Sequence, residues 1–232
     1  MSLVPSPNIW RWPGIYEIEN RAQDATGALW AALERSCPWD GRDVLDVGCG
    51  DGFHLPLFAL RARSVVGVEP YPPLVVRARR WVAGMPNVSV VAAGAADLPL
   101  PDASVDVVHA RTAYFFGPGP GCEPGLAEAQ RVLRPGGAIA IVDLDATVAP
   151  YGDWMRADAP RYNPVVAERF FAVAGFSLLR VPTVWRFADR TALEDVLRIE
   201  FSAATAARAI TATPGLELPV GYRLHVRRKA VR

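Results

Sequence analysis

The stretch Val44–His54, VLDVGCGDGFH, places three glycines and two aspartates within one short segment. It overlaps an apolar run at 42–48, RDVLDVG, which is typical of a buried parallel strand. Gly48, Gly50 and Gly52 permit a tight turn with positive φ, and they let a ligand approach the backbone closely. In an open α/β sheet, the loop after the first strand is where an adenosine-containing ligand binds. The stretch therefore predicts a parallel sheet with a ligand site at its edge.

Apolar runs and segments with helical periodicity alternate along the chain around this loop. We predict strands at 42–48, 64–69, 87–93, 104–110, 138–145, 177–187 and 222–230. We predict helices at 25–36, 53–63, 72–84, 123–133, 165–176, 191–201 and 203–210. Strands joined by helices imply βαβ units with right-handed crossovers. The pattern therefore predicts a single three-layer α/β domain with a doubly wound, mostly parallel sheet.

Length and composition limit the class of protein. The 232 residues are 51% hydrophobic and 21% charged, which suits one domain with a sizeable core. The net charge of +1 gives no general attraction to nucleic acid or to an anionic membrane. The three cysteines form no CxxC pair, and the sequence has no apolar run of roughly 20 residues. The start has no basic region followed by an apolar one, so a signal peptide is not expected. We therefore expect a soluble, cytoplasmic protein with reduced thiols and no membrane partner.

The spacing of the glycines and the nearby acids narrow the choice of ligand. A dinucleotide-binding loop prefers G-x-G-x-x-G, whereas the loop here reads G-x-G-x-G. Asp46 and Asp51 would repel a pyrophosphate, but they suit a cofactor that carries an ammonium and a sulfonium group. Glu69 ends the next strand, where an acidic side chain can accept hydrogen bonds from both ribose hydroxyls. The pattern favours an adenosine cofactor without a pyrophosphate.

Four segments together resemble the class I S-adenosylmethionine-dependent methyltransferases, in particular the type 11 group. Val44–Gly52 is similar to the first motif of that family, and VVGVEP at 65–70 is similar to its second-strand motif. LPLPDASVDVV at 98–108 and EAQRVLRPGGAIAIVD at 128–143 resemble the approaches to its fourth and fifth strands. The resemblance covers about residues 40–145. It implies a Rossmann-like, seven-stranded sheet, with S-adenosylmethionine as cofactor and S-adenosylhomocysteine as product.

The resemblance also implies how the cofactor is held. The glycine loop would line its methionine and ribose parts, Asp46 would face its amino group, and Glu69 would hold the ribose hydroxyls. Where the family commonly has an acid that reads the adenine amino group, this chain has Gly94, so that contact passes to Asp97 or to neighbouring backbone groups. The residues expected at the cofactor are Asp46, Gly48, Cys49, Gly50, Gly52, Glu69, Pro70, Ala95, Ala96 and Asp97.

Three residues near the end of the fourth predicted strand are candidates for the methyl-transfer step. The resemblance places the segment after this strand beside the methyl group, which brings His109, Arg111 and Tyr114 there. A hydrogen-bonded core histidine is the alternative interpretation of His109. Asp143 and Asp145 share one face of a strand, but two carboxylates without a third ligand make a poor metal site. We therefore expect no metal.

The sequence restricts the acceptor without identifying it. The segment after the fourth strand reads ARTAYFF, so it lacks the NPPY-like tetrad of enzymes that methylate exocyclic amino groups of nucleic-acid bases. A Pro-Cys pair for methylation of cytosine carbon 5 is also missing. The expected acceptor is therefore a small metabolite, methylated on oxygen, nitrogen, carbon or sulfur, and DNA is not expected. An RNA or protein methyltransferase and a non-catalytic cofactor-binding module remain alternatives, as do a monomer and a homodimer.

The chain outside the resemblance is expected to surround the acceptor. We divide the single domain into an N-terminal helical or lid segment (1–36), a cofactor-binding core (37–145) and a C-terminal part (146–232). Two proline- and glycine-rich loops, 112–125 and 146–164, follow strand ends, and the first contains an aromatic run, Tyr-Phe-Phe. NIWRWPGIYEIEN, before the first strand, is also aromatic. These segments are predicted to form a lid over the acceptor; alternatively, the N-terminal one only covers a hydrophobic edge of the sheet.

Overall fold

The computed structural model describes residues 6–115, 117–118 and 122–231, so Phe116 of the aromatic run and residues 1–5 of the N-terminal segment lie outside the described residues. Seven strands within these ranges form one sheet in the order β3-β2-β1-β4-β5-β7-β6. Their bounds are β1 Asp43–Val47, β2 Ser64–Glu69, β3 Val88–Ala92, β4 Val105–Arg111, β5 Leu133–Leu144, β6 Ser177–Arg186 and β7 Glu217–Arg228.

The first five strands all run in the same direction, and β7 reverses it. β1 pairs in parallel with β2 and β4, β2 with β3, and β4 with β5. β7 lies between β5 and β6 and is antiparallel to both. The predicted mostly parallel, seven-stranded, single α/β domain is therefore confirmed. The carboxyl ends of β1, β2, β4 and β5 meet at one edge, where the predicted site residues also lie.

Helices cover both faces of the sheet. Those in the described ranges are α1 Pro7–Arg11, α2 Pro13–Ala22, α3 Ala28–Ser36, α4 Leu55–Ala59, α5 Pro72–Trp81, α6 Cys122–Val132, α7 Tyr151–Asp158, α8 Pro164–Val173, α9 Arg190–Glu200 and α10 Ala203–Ala212. Alternation along β1 sends Val44 to one hydrophobic cluster, with Leu33, and Leu45 to the other, with Leu126. This alternation produces the three layers. None of the helices described is long and apolar enough to cross a membrane.

The predicted element bounds differ from the structure where tertiary contacts decide them. The helix predicted at 25–36 begins only at Ala28, because Gly27 has φ +70° and the buried Asp24 carboxylate accepts the N–H group of Leu29. The strand predicted at 138–145 begins at Leu133 and includes the Pro-Gly-Gly segment that was expected to lie before it. The last strand begins at Glu217, five residues before the predicted start.

Two helical regions were not resolved by the sequence pattern. The segment predicted as a loop at 146–164 contains α7, and the N-terminal segment folds into two helices, α1 and α2, separated by Trp12. Proline at the start of α1 and of α2 suits a first helical turn, where its missing N–H costs no hydrogen bond. In contrast, α4 is shorter than predicted and ends at Ala59.

Candidate functional site

The glycine loop lies directly after β1, and its backbone is held against β2. The N–H groups of Gly48 and Cys49 both donate to the Val68 carbonyl oxygen, at 2.8 and 3.1 Å. Gly48, Gly50 and Gly52 have φ values of 74°, 58° and 84°. Residues with a Cβ adopt this left-handed region only at a cost. The expected tight turn with positive φ is thus present.

Gly48 and Gly52 allow the loop to pack closely against the segment after β4 and against α5. A Cβ on Gly48 would lie 2.6 Å from the Cβ of Ala113, in the segment after β4. A Cβ on Gly52 would lie 3.1 Å from the Cα of Ala78 in α5. These two glycines therefore have a packing role that is independent of any ligand.

Glu69 is buried at the end of β2 and is bonded to the glycine loop. Its Oε2 accepts the N–H of Gly50 at 3.2 Å, and its Oε1 accepts the N–H of Tyr71 at 2.9 Å. Burial raises the pKa of Glu69, and the nearby carboxylates Asp46 and Asp51 act in the same direction. An ionised carboxylate has about four acceptor positions, so two remain for hydroxyl donors. The geometry fits a group with two adjacent hydroxyls, such as a ribose.

Asp46 and His109 form a buried pair on adjacent strands. They lie opposite each other in the β1–β4 register, and Asp46 Oδ1 is 2.7 Å from Nδ1 of His109. His109 packs beside the rings of Trp30 and Phe58. Its Nε2 is buried and has no hydrogen-bond partner among the residues described. If Nδ1 carries the proton that is shared with Asp46, Nε2 keeps a lone pair, and an acceptor would have to enter the packed surroundings of this atom to reach it.

Arg111 ends β4 on the same sheet face as His109. Only 9% of the residue is exposed. Its Nη2 donates to Oε1 of Gln23, and it lies 3.4 Å from the hydroxyl of Tyr222. The guanidinium also lies over the rings of Trp30 and Tyr222, at 5.8 and 5.1 Å from their centroids. α2, α3 and β7 thus supply the surroundings of a residue in β4.

The backbone after β4 is strained. Thr112 and Tyr114 have φ values of 45° and 59°, although neither is glycine. Tyr114 packs on α6, because a Cβ on Gly125 would lie 2.1 Å from its Cε1 atom. Non-glycine residues in this region cost about 1–3 kcal/mol each and are often found at functional sites. Tyr114 therefore lies beside the strained turn, but its ring is directed toward α6.

The expected adenine side has open space where the family commonly has an acid. A Cβ on Gly94 would meet no atom within 4 Å. Ala95 is buried, Ala96 is half-buried and Asp97 is exposed. The N–H of Asp97 donates to the carbonyl oxygen of Gly94, which closes a turn at this position. A cofactor base would therefore meet backbone groups here rather than a buried carboxylate.

The N-terminal helices lie against the glycine loop. A Cβ on Gly50 would lie 2.9 Å from Cδ1 of Ile9, so this glycine lets α1 approach the loop. Trp10 stacks on Tyr71, two residues after Glu69, with 4.3 Å between the ring centroids. α1 therefore contacts both halves of the expected cofactor cradle.

A pair of carboxyl groups, one buried and one half-buried, joins α2 to α9, and it was not predicted from the sequence. Glu19 of α2 is buried beside Glu200, and burial together with the Glu200 carboxyl raises the pKa of Glu19. Glu200 accepts hydrogen bonds from Asn8 and Tyr151, at 2.6 and 2.7 Å. Oε1 of Glu19 accepts from Gln23. The spacing of residues 16, 19 and 23 along one helix face was the available signal, but their burial was not visible in the sequence.

Other chemically reactive residues have structural partners. Burial and nearby carboxylates raise the pKa of the Cys49 thiol, which disfavours a reactive thiolate. Asp143 pairs with Arg223, and Asp145 pairs with Arg180. Burial lowers the pKa of His225 to about 4, and its ring lies 4.4 Å from that of Phe171.

Comparison with known proteins agrees with this architecture. A family model described as a methyltransferase domain matches residues 44–137. A demethylmenaquinone methyltransferase of Clavibacter sepedonicus is 30% identical over 193 residues, which are 79% of this chain and 76% of that protein. The chain therefore belongs to the class I S-adenosylmethionine-dependent methyltransferases.

Two further relatives match over shorter ranges. A probable S-adenosylmethionine-dependent methyltransferase of Mycolicibacterium smegmatis is 39% identical over 136 residues, 56% of this chain and 47% of that protein. A tRNA U34 carboxymethyltransferase of Methylococcus capsulatus is 34% identical over 142 residues, 58% of this chain and 43% of that protein. The chain thus spans slightly less than half the length of these two relatives.

Solved structures share the fold at low identity. The YcgJ protein of Bacillus subtilis has a TM-score of 0.63 at 17% identity and covers 89% of this chain and 100% of its own. A [4+2]-cyclase, SpnF, has a TM-score of 0.59 at 20% identity and covers 90% of this chain and 83% of its own. Because one of these two proteins is named as a cyclase, the fold by itself does not define the reaction.

Proposed function

We propose that this chain transfers the methyl group of S-adenosylmethionine to a small molecule bound beside the carboxyl end of β4. The observation that carries the proposal is the link between the glycine loop and Glu69. The N–H of Gly50 donates to one oxygen of Glu69 and the N–H of Tyr71 to the other, which leaves two of the roughly four acceptor positions for ligand hydroxyls. The family membership adds the identity of the ligand that fits this arrangement.

The residues present suit the cofactor on chemical grounds. Asp46 in β1, just before the glycine loop, and Glu69 at the end of β2 are buried carboxylates that would favour a cationic ligand carrying a ribose. Pro70 and the backbone of Ala95 and Ala96 would contact the adenine. When bound, S-adenosylmethionine supplies an electrophilic methyl group on a sulfonium centre.

The chain itself would orient the acceptor and remove its proton. Asp46 holds Nδ1 of His109, so the Nε2 atom would accept a proton from the acceptor in the transfer step. In-line transfer needs little further help, since positioning the acceptor about 3–3.5 Å from the reacting carbon supplies much of the acceleration. The strained turn at Thr112 and Tyr114 would define one wall of the acceptor space. Tyr114 stays a catalytic prediction.

We also propose that α1 and α2 form the lid expected from the sequence. Ile9 faces Gly50, and Trp10 stacks on Tyr71, so α1 lies over the cradle rather than beside an outer edge of the sheet. The proposed segments 1–36, 37–145 and 146–232 then have separate roles within one domain. The cytoplasm is the proposed location, which suits the free thiols of the three cysteines.

Methylation of RNA is the second candidate, and one observation favours it. The relative from Methylococcus capsulatus is named as a tRNA-modifying enzyme. The net charge of +1 weighs against it, because binding to RNA draws most of its affinity from basic surface.

Calorimetry and a transfer assay test the proposal together. S-adenosylhomocysteine should bind the purified chain, and methyl-labelled S-adenosylmethionine should label a member of a small-metabolite panel rather than transfer RNA. His109→Asn should lower the labelling while cofactor affinity is retained. Labelling of RNA alone would select the second candidate. Binding without transfer to either class would indicate a binding module, and no binding would refute the proposal.

A further inference from the structure

Arg111 is a buried cation whose described hydrogen-bond partners are both uncharged. Its Nη2 contacts the side-chain oxygens of Gln23 and Tyr222. Within the described residues, both of its side-chain hydrogen bonds come from Nη2, and none of the described ion pairs includes Arg111. A guanidinium carries five N–H donors, so several of them are unused.

A second buried arginine, Arg223, has the carboxylate partner that a buried guanidinium usually has. Arg223 of β7 is 1% exposed and pairs directly with the Asp143 carboxylate. A buried charge without such a partner is costly, since desolvation is not repaid. The carboxyl group nearest to Arg111 along the hydrogen-bond chain is Glu19, which is bonded to the opposite end of the Gln23 amide. Burial and Glu200 raise the pKa of Glu19, while the charge of Arg111 acts in the opposite direction, so the two groups interact without a direct ion pair.

Arg111, which has no direct carboxylate partner among the described residues, lies close to the proposed site of reaction. It ends β4 two residues after His109, and alternation directs both side chains to one face of the sheet. The rings of Trp30 and Tyr222 flank the guanidinium, which suits a flat group beside it. Gln23 is half-buried and follows the last residue of α2, so its side chain can rotate away without breaking a helical turn.

We propose that Arg111 binds an oxyanion of the methyl acceptor, so that the acceptor class is a small planar molecule with a carboxylate or a phenolate. This inference rests on the proposed function, since it assumes that the acceptor lies at the end of β4. The oxyanion replaces Gln23 at the guanidinium and forms a charge-assisted hydrogen bond there. Arg111 thereby selects anionic acceptors over neutral molecules of the same shape.

The test uses three flat probes that differ in charge. Benzoate, 4-nitrophenolate and benzamide are titrated by calorimetry into the full chain saturated with S-adenosylhomocysteine, at a pH where the nitrophenol is ionised. We expect at least one anion to bind at least about tenfold more tightly than benzamide. Which anion binds more tightly distinguishes a carboxylate acceptor from a phenolate acceptor.

Variants show whether Arg111 is responsible. Arg111→Gln should weaken binding of the anion at least about tenfold, and Arg111→Lys, which keeps the charge but loses the planar fork, should fall between. Arg227→Gln is the matched control: Arg227 is a partly buried arginine at the opposite end of β7, it bonds to Ala174 and Gln130, and its loss should leave anion affinity unchanged. Circular dichroism checks that each variant is folded. If Arg111→Gln is unfolded, the comparison of Arg111→Lys with the wild type tests the inference.

The outcomes separate this inference from the function on which it depends. If S-adenosylhomocysteine fails to bind the wild-type chain, the proposed function itself is wrong. If it binds, the inference is overturned when neither anion binds, when benzamide binds as tightly, or when the folded Arg111 variants bind the anion as the wild type does.

Discussion

The two halves of the site are assembled in different ways. The half at β1 and β2 is made mainly of backbone groups, with a loop of positive-φ glycines bonded to one carboxylate nineteen positions after Gly50. The half at β4 is made of side chains from distant parts of the chain, since Arg111 meets partners 88 and 111 residues away. The first half suits a ligand that is the same in every family member, because it uses backbone groups. The second half can change its ligand through substitution of single side chains. Within this family, such a division would let one cofactor serve many acceptors.

The largest expected effect is in the backbone half. Gly50→Ala should weaken binding of S-adenosylhomocysteine about a hundredfold in calorimetry, because the new Cβ disturbs the N–H that Glu69 accepts. Gly41→Ala is the matched control, with φ +64° and open space around its Cβ. Both variants should lose similar stability, about 1–2 kcal/mol, but only the first should lose affinity. Equal affinity in the two variants would show that the loop is not the cradle.

A double variant shows whether Gly50 is needed for cofactor binding or only for the contact with α1. Ile9→Ala removes the atom that a Cβ on Gly50 would meet. We expect Ile9→Ala combined with Gly50→Ala to stay at least about tenfold weaker than the wild type. Full recovery of affinity would mean that Gly50 serves only to admit α1.

The next effect concerns α1, which lies on the backbone half of the site. Deletion of residues 1–12 removes α1 but leaves α2, whose Glu19 and Ala22 are buried. In stopped-flow fluorescence, S-adenosylhomocysteine should dissociate about thirtyfold faster, because a lid slows ligand release. Trp12→Ala, at a residue that is 53% exposed, is the control and should change little. A large fall in melting temperature with unchanged release would instead indicate a structural cover.

A smaller effect is expected from the charge of Glu69. Glu69→Gln should weaken S-adenosylhomocysteine about tenfold, since a neutral acceptor makes weaker hydrogen bonds to hydroxyls. The pKa of Glu69 is raised in the ligand-free protein, so wild-type affinity should fall as the pH drops through that raised pKa, and the variant should show a flat profile. Glu217→Gln, an exposed carboxylate, controls for general charge.

As the pH falls through the pKa of Glu69, the stability of the ligand-free fold and the affinity for the cofactor are expected to change in opposite directions. A carboxyl group whose folded pKa is raised binds its proton more tightly in the folded state than in the unfolded state. Ionised Glu69 therefore destabilises the ligand-free fold at neutral pH, and acidification toward its unfolded pKa removes that cost. A pH profile of affinity in Glu69→Gln that matches the wild type would assign the titration to another group.

The smallest expected effect is an increase in affinity for S-adenosylhomocysteine. Gly94→Asp restores the acid that the family commonly has, and a Cβ there meets no atom within 4 Å. Affinity for S-adenosylhomocysteine should rise about three- to tenfold by calorimetry, as expected for one added hydrogen bond. Gly215→Asp, also with open space around its Cβ, is the control. An unchanged or weaker affinity would place the adenine away from this turn.

The sequence predicted the half that depends on near neighbours along the chain. The strand before the glycine loop, the loop and Glu69 lie within 27 residues, 43–69. The hydrophobic period of the strands and the spacing of the glycines and the acid therefore suffice to predict how they are arranged. Element bounds failed where a distant or buried group intervened, as when Asp24 moved the start of α3 to Ala28. α7 was missed because proline and glycine around it are also typical of loops.

The amino-acid sequence by itself thus determined the class of fold, the order of its elements and the glycine cradle, since each rests on local backbone preference and hydrophobic period. Only the tertiary structure decided that His109 bonds to Asp46, that α1 lies on Gly50 and that Arg111 meets Gln23. Those contacts join elements that are far apart along the chain. The contacts form only when burial of the two hydrophobic clusters brings these elements together. For this reason the expected cofactor could be named from the sequence, while the charge of the acceptor had to be inferred from the packed structure.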